Sequence, residues 1–206
     1  IALLEDMKNG EYEPTLVNQF LYQEYLALND TVNYVRVLQD AVVRFPKEPW
    51  FLQNLINYYI FSGQESAAID YLSQAIEREP NVAQYHHIKG NLDESQKNYE
   101  AALADFQRAL ELDPTMADAY AGQGRVYYNQ AVKINEDMAL IPMNDKKGYD
   151  NAMKEMTEMF KKSLPYFEKA HETEPSNRDY MIVLRQLYGR FHMDAQREAI
   201  NEELNK

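Results

Sequence analysis

Pro46, Pro80 and Pro114 stand 34 residues apart, and each closes a stretch of one kind: VLQDAVVRFP, YLSQAIEREP and DFQRALELDP. A fixed period in this range marks a stacked-repeat protein, and 34 residues is the interval of a helix–turn–helix unit. Each unit buries its apolar face against its neighbours, so the core grows along the chain. With 45% apolar residues there is material for such a core, and the mean hydropathy of −0.62 is that of a soluble chain. No apolar run approaches the ~20 residues that span a bilayer. Ile1 begins mid-pattern, without a basic or long apolar leader, so the expectation is a processed or trimmed form of a longer product.

With each proline at position 32, the units run 15–48, 49–82 and 83–116. Position 27 is Ala41, Ala75 and Ala109; position 24 is Leu38, Leu72 and Phe106; position 20 is Tyr34, Ala68 and Ala102. Spacings of four and three put these side chains on one helix face. Leu21, Leu55 and Gly90 come from position 7 or 8, and Tyr25 and Tyr59 from position 11. A small residue at positions 8 and 20 lets two antiparallel helices approach closely. Proline at 32 stops the second helix near the preceding residue. The first unit has Tyr22 and Tyr34 at the two small positions, which predicts a wider helix pair than in the third.

A fourth unit opens with Tyr120, Gly124 and Tyr127 in phase but closes only at Pro175, with Phe167 and Ala170 before it. That is 61 residues after Pro114, or 27 beyond the interval. The extra stretch has helix formers around a turn-rich centre, Pro142 to Gly148, so it reads as an extended helical hairpin. Its first helix is expected to reach about Met138 and its second to begin near Tyr149. Pro165 predicts a break in that second helix, with Ser163 capping the restarted segment. Leu4 and Met7 read as the tail of an earlier helix ended by Asn9-Gly10. Tyr180, Leu184, Leu187 and Tyr188 form an apolar face, and polar residues 194–205 suit a terminal cap.

These residues resemble the tetratricopeptide repeat (TPR) family, with its small–aromatic–small–proline pattern; Gly90, Ala102, Phe106, Ala109 and Pro114 reproduce it most fully. The resemblance implies an all-α right-handed TPR superhelix, an alpha-alpha solenoid. Its parts are a repeat tail at 1–14, three repeats at 15–48, 49–82 and 83–116, an enlarged fourth at 117–177, and a helix pair or cap at 178–206. It also implies a concave face lined by positions 2, 5, 9, 12 and 13 of each first helix. Position 5 holds Gln19, Gln53 and His87; position 9 holds Gln23, Asn57, Asn91 and Arg125. Amides both donate and accept, so a row of them can pair with an extended peptide backbone. Trp50, Phe61 and Tyr128 would add aromatic pockets, and Ile60 an apolar one. The alternative is that the amides are simply solvated. TPR domains that grip C-terminal carboxylates use lysines and an arginine. At the matching positions this chain has Gln19, Gln23, Asn54, Gln84 and Ile88, so the cations for that task are missing.

Twenty-one basic against 33 acidic residues give −12 at pH 7, which disfavours phosphate backbones and favours a neutral or basic protein or peptide partner. Zero cysteines exclude thiol nucleophiles and Cys-based zinc sites. Met153, Met156 and Met159 read as packing along the hairpin seam, with partner docking or Cu(I) as the other uses of thioethers. His86-His87 is a poor chelating pair on a helix. No Ser/His/Asp order, HExxH or phosphate loop occurs, so neither enzyme, cofactor nor metal is expected. Two functions stand: a non-catalytic scaffold binding a segment in its groove, or a structural subunit docking through the hairpin or the convex face. The oligomeric state stays open. An enlarged late unit also resembles bacterial repeat proteins, many exported, which favours an exported over a cytoplasmic chain.

Overall fold

The computed structural model describes residues 1–8 and 13–205; Asn9-Gly10, expected to end the first helix, lies outside them. Among the described residues there are eleven helices and no strand. They form two compact units, Ile1–Asn81 and Val82–Lys206. The first holds α1 (Ala2–Met7), α2 (Pro14–Ala27), α3 (Thr31–Arg44), α4 (Pro49–Phe61) and α5 (Glu65–Arg78). The second holds α6 (Ala83–Ser95), α7 (Tyr99–Leu112), α8 (Ala117–Met138), α9 (Lys146–Thr173), α10 (Arg178–Arg190) and α11 (Asp194–Leu204).

Four helices end two residues before a proline: α3 before Pro46, α5 before Pro80, α7 before Pro114 and α9 before Pro175. The proline ring crowds the residue ahead of it and drives it out of the helical region. Phe45, Glu79, Asp113 and Glu174 accordingly sit at φ −124, −134, −137 and −133°. The opposite ends of the pairs reverse by Schellman turns. Asp30, Gln64, Asn98 and Met193 donate their amides to the carbonyls of Tyr25, Tyr59, Asp93 and Tyr188, five residues back. Each such turn needs one left-handed residue, supplied by Asn29, Gly63, Lys97 and His192 at φ 56, 72, 63 and 55°.

In the first unit Val17, Leu21, Tyr25 and Val37 form a core, with Leu4, Tyr22 and Tyr34 packed against it. The Tyr22 and Tyr34 rings meet edge to face 5.8 Å apart and hold α2 off α3. In the second unit Gly90 and Ala102 stand where those tyrosines do, and α6 lies against α7 more closely than α2 against α3. Phe106 fills the resulting space. A Cβ on Gly90 would come within 2.8 Å of its ring, and one on Gly122 within 2.6 Å. Bare backbone from both α6 and α8 therefore contacts one fully buried ring.

Helices α8 and α9 form the longest antiparallel pair. The first ends at Met138, and the second begins at Lys146, three residues before the expected Tyr149. Gly148 lies inside α9, where its amide donates to the Asp145 carboxylate that caps the helix (2.9 Å). Pro165 does not break α9, which is helical from 146 to 173. Its missing N–H and ring clash are outweighed by the packing of Met156, Phe160, Phe167 and Ala170 into one core. Ser163 is not a cap either: its fully buried hydroxyl donates to the Gly124 carbonyl of α8 at 2.8 Å. Met156 and Met159 belong to that core, whereas Met153 is 38% exposed and Met143 projects fully into solvent. Tyr180, Leu184, Leu187 and Tyr188 of α10 join the same core, with Ile200 and Leu204 of α11 behind them.

Candidate functional site

In the first unit α2 and α4 meet through side chains. The Tyr22 ring meets Trp50 edge-on at 5.2 Å, and its hydroxyl donates to Asn54 Oδ1 at 3.3 Å. Gln19 and Gln23 are one turn apart on α2, as Gln53 and Asn57 are on α4. Gln23, Gln53 and Asn57 are exposed, and Gln19 and Trp50 are half-buried. Phe61 closes α4 with its ring 90% exposed, and Ile60 beside it is 37% exposed. Buried Asn18 and half-buried Asn54 turn their amides back onto the carbonyls of Pro14 and Trp50, both at 2.7 Å. Of these six amides, Gln23, Gln53 and Asn57 are the exposed ones.

In the second unit the equivalent side chains touch. Arg125 Nη2 donates to Asn91 Oδ1 at 2.8 Å, joining two position-9 residues 34 apart in sequence. Asn91 Nδ2 lies 3.3 Å from His87 Nε2. Arg125 also forks onto Glu94, with Nε at 2.8 and 2.9 Å from the two carboxylate oxygens and Nη2 at 2.6 Å. Asn129 donates to the same carboxylate at 3.0 Å. The Glu94 side chain is only 8% exposed, against 44% for Arg125. A carboxylate so enclosed depends on the bidentate fork for its charge balance. Burial pushes the His87 imidazole below its ordinary range, with Arg125 adding to the effect and Asp118 opposing it. Its Nδ1 is buried without a hydrogen-bond partner.

This arrangement changes how the amide row reads. Gln23 and Asn57 present their amides to solvent, but both ends of the Asn91 amide are engaged within the protein. On one side of Arg125 is an open cleft of about 580 Å³ bordered by Asn91, Glu94, Tyr99, Asn129 and Lys133. On the other is a narrower cleft of about 350 Å³ reached by Tyr128, Asp118 and Tyr180. Tyr128 is held at both ends, its ring edge-on to Phe160 at 5.1 Å and its hydroxyl donating to Gln186 at 2.7 Å. Tyr180 donates to Asp118 at 2.5 Å; burial first, and this carboxylate second, push its phenol pKa far up.

Glu94, Asn129 and Asp118 complete the site from outside positions 5 and 9. They sit at positions 12, 13 and 2 of their units, so the repeat register already marked them as lining residues. Tyr180 and Gln186 carried no such signal, because they come from α10, beyond the enlarged helix pair. Among the described residues no group of acidic and histidine side chains could hold a metal. No helix there is long and apolar enough to cross a membrane.

Comparison with known proteins places this geometry. Residues 90–130 match the family model described as TPR repeat. No curated protein matches the chain. Among solved structures, a MamA protein is 17% identical, with 92% of this chain aligned to 89% of that one at a TM-score of 0.61. MamA from Desulfovibrio magneticus is 16% identical over 92% of this chain and 90% of its own, with a TM-score of 0.57. A human IFIT1 dimer with m7Gppp-AAAA is 18% identical over 98% of this chain, with a TM-score of 0.66. This chain spans only 45% of that protein. Likenesses at such identities establish the fold: an all-helical, TPR-like solenoid.

Proposed function

We propose that this chain, which carries TPR repeats on a helical solenoid fold, is a non-catalytic scaffold that binds an extended polypeptide segment through the first helices of its pairs. One observation carries the reading. The Arg125–Asn91 bond joins residues one repeat apart, so equivalent positions of α6 and α8 meet on one face of the second unit. The exposed amides Gln23, Gln53 and Asn57 occupy the same register on α2 and α4. Side chains that both donate and accept suit a peptide backbone.

Charge narrows the partner. The chain carries −12, and Arg125 is matched by Glu94. A neutral or basic segment fits that field better than a phosphate backbone does. IFIT1 is seen with m7Gppp-AAAA, but an RNA ligand here would meet a field of the wrong sign.

A photo-crosslinking residue at Gln23 or Asn57 of the first unit, or at Tyr128 of the second, should capture a polypeptide in the native cell. Crosslinks formed only from Leu140 and Met143 would overturn the groove reading in favour of docking through the α8–α9 tip. That second reading is favoured by the 81% and full exposure of these two side chains.

A further inference from the structure

The narrower cleft beside Arg125 is chemically unlike the rest of the face. Its volume, about 350 Å³, is near the low end of ligand sites, roughly 300–1,000 Å³, which is room for one side chain. Its apolar lining is Ala121 from α8, Phe167 from α9 and Val183 from α10. Two carboxylates reach it, Asp118 from the first turn of α8 and Asp179 from the first turn of α10. Among the described residues that line it the one cation is Arg125, whose fork is committed to Glu94 outside the cleft. The Tyr180 hydroxyl holds one oxygen of Asp118 in place, and Asn177 Oδ1 caps α10 by accepting from the Asp179 amide at 3.1 Å.

Apolar side chains and two carboxylates in one cleft are the complement of a long aliphatic stem ending in a positive charge. We propose that this cleft between α8, α9 and α10 is a socket for one lysine or arginine side chain of the bound polypeptide. The stem lies along Phe167 and Val183, and the cation is held by Asp118 and Asp179. Tyr128, already fixed at its ring edge and its hydroxyl, adds an aromatic surface next to that charge. The socket rests on the polypeptide-binding reading above and gives that segment one required residue.

The test uses the full chain, isotopically labelled, with blocked single-residue probes followed by amide shifts. N-acetyl-arginine amide should move the amides of Ala121, Tyr180 and Val183. N-acetyl-citrulline amide, the same shape without charge, should bind about tenfold more weakly. Asp118→Asn keeps an acceptor for Tyr180 and should weaken the arginine probe by a similar factor; Asp179→Asn, on an exposed side chain, should do the same without touching the core. Equal binding of arginine and citrulline, or arginine shifts confined to other regions, would overturn the socket. The two proposals fail separately. Crosslinks at Asn57 with no arginine preference remove only the socket. Arginine binding without groove crosslinks leaves the socket and removes the groove.

Discussion

Substituting Gly122 by alanine tests the packing logic most directly. An alanine in a helix interior is favoured over glycine by about 1 kcal/mol, so propensity alone predicts a gain. The added Cβ, however, would lie 2.6 Å from two atoms of the Phe106 ring and 2.9 Å from a third. That ring is fully buried and already touches the bare backbone of Gly90, so it has little room to retreat. Overpacking of this kind costs about 1–3 kcal/mol. With the ring so confined the upper part of that range applies, and the net expectation is a loss of roughly 1–2 kcal/mol. Gly189→Ala is the matched control, since its Cβ would meet Arg197 at an ordinary 3.5 Å; it should gain up to about 1 kcal/mol. Urea titrations followed by circular dichroism read both, comparing midpoints at unchanged slope. A Gly122→Ala midpoint equal to or above that of the parent would refute the argument that Phe106 requires glycine.

Three further outcomes follow from the backbone and from one imidazole. Lys97→Gly should stabilise the chain by about 1 kcal/mol, because a side chain at φ 63° bears a left-handed strain that glycine lacks; an unchanged or lower melting temperature would contradict it. Pro165→Ala should restore the amide donor to the Lys161 carbonyl and raise stability by about 1–3 kcal/mol, again read by thermal melting; a lower melting temperature would mean that α9 uses its proline. His87, whose folded pKa is depressed below 6.5, should make stability fall with acid. Below 6.5 the unfolded chain takes up a proton that the folded chain refuses, so the contribution is present above that pH and lost as pH falls through the depressed value. The urea midpoint should drop less between pH 7.5 and 5.5 in His87→Gln than in the parent; equal drops would rule His87 out.

What was legible in the sequence is what local sterics decide. Pro46, Pro80, Pro114 and Pro175 act on the residue before them wherever they stand, so helix ends could be read without any tertiary knowledge. Phe106 and its small neighbours could be read because the repeat returns them in phase. Pro165 departs from the local rule because α9 gains its stability over 28 residues of packing, a sum that no local rule sees. The Glu94–Arg125 fork lay within reach, since both residues sit at lining positions of successive units. The Asp118–Tyr180 bond did not: 62 residues separate the partners, and their meeting depends on how the long α8–α9 pair folds back. Ser163 looked like a cap because serine commonly is one. Its hydroxyl instead joins two helices, a role visible only once α8 and α9 are paired.

The Schellman reversals have a consequence for divergence. Their handedness is imposed by backbone amides reaching back to main-chain carbonyls, and the left-handed site accepts asparagine, glycine, lysine or histidine. Several side chains are thus tolerated at the bend, at the cost of the strain that glycine avoids, while the chain still turns back on itself at the same place. Neighbouring units can lose every recognisable letter there and keep their geometry, in line with a family signature confined to residues 90–130 of a chain whose helices pair in the same way on either side of that stretch.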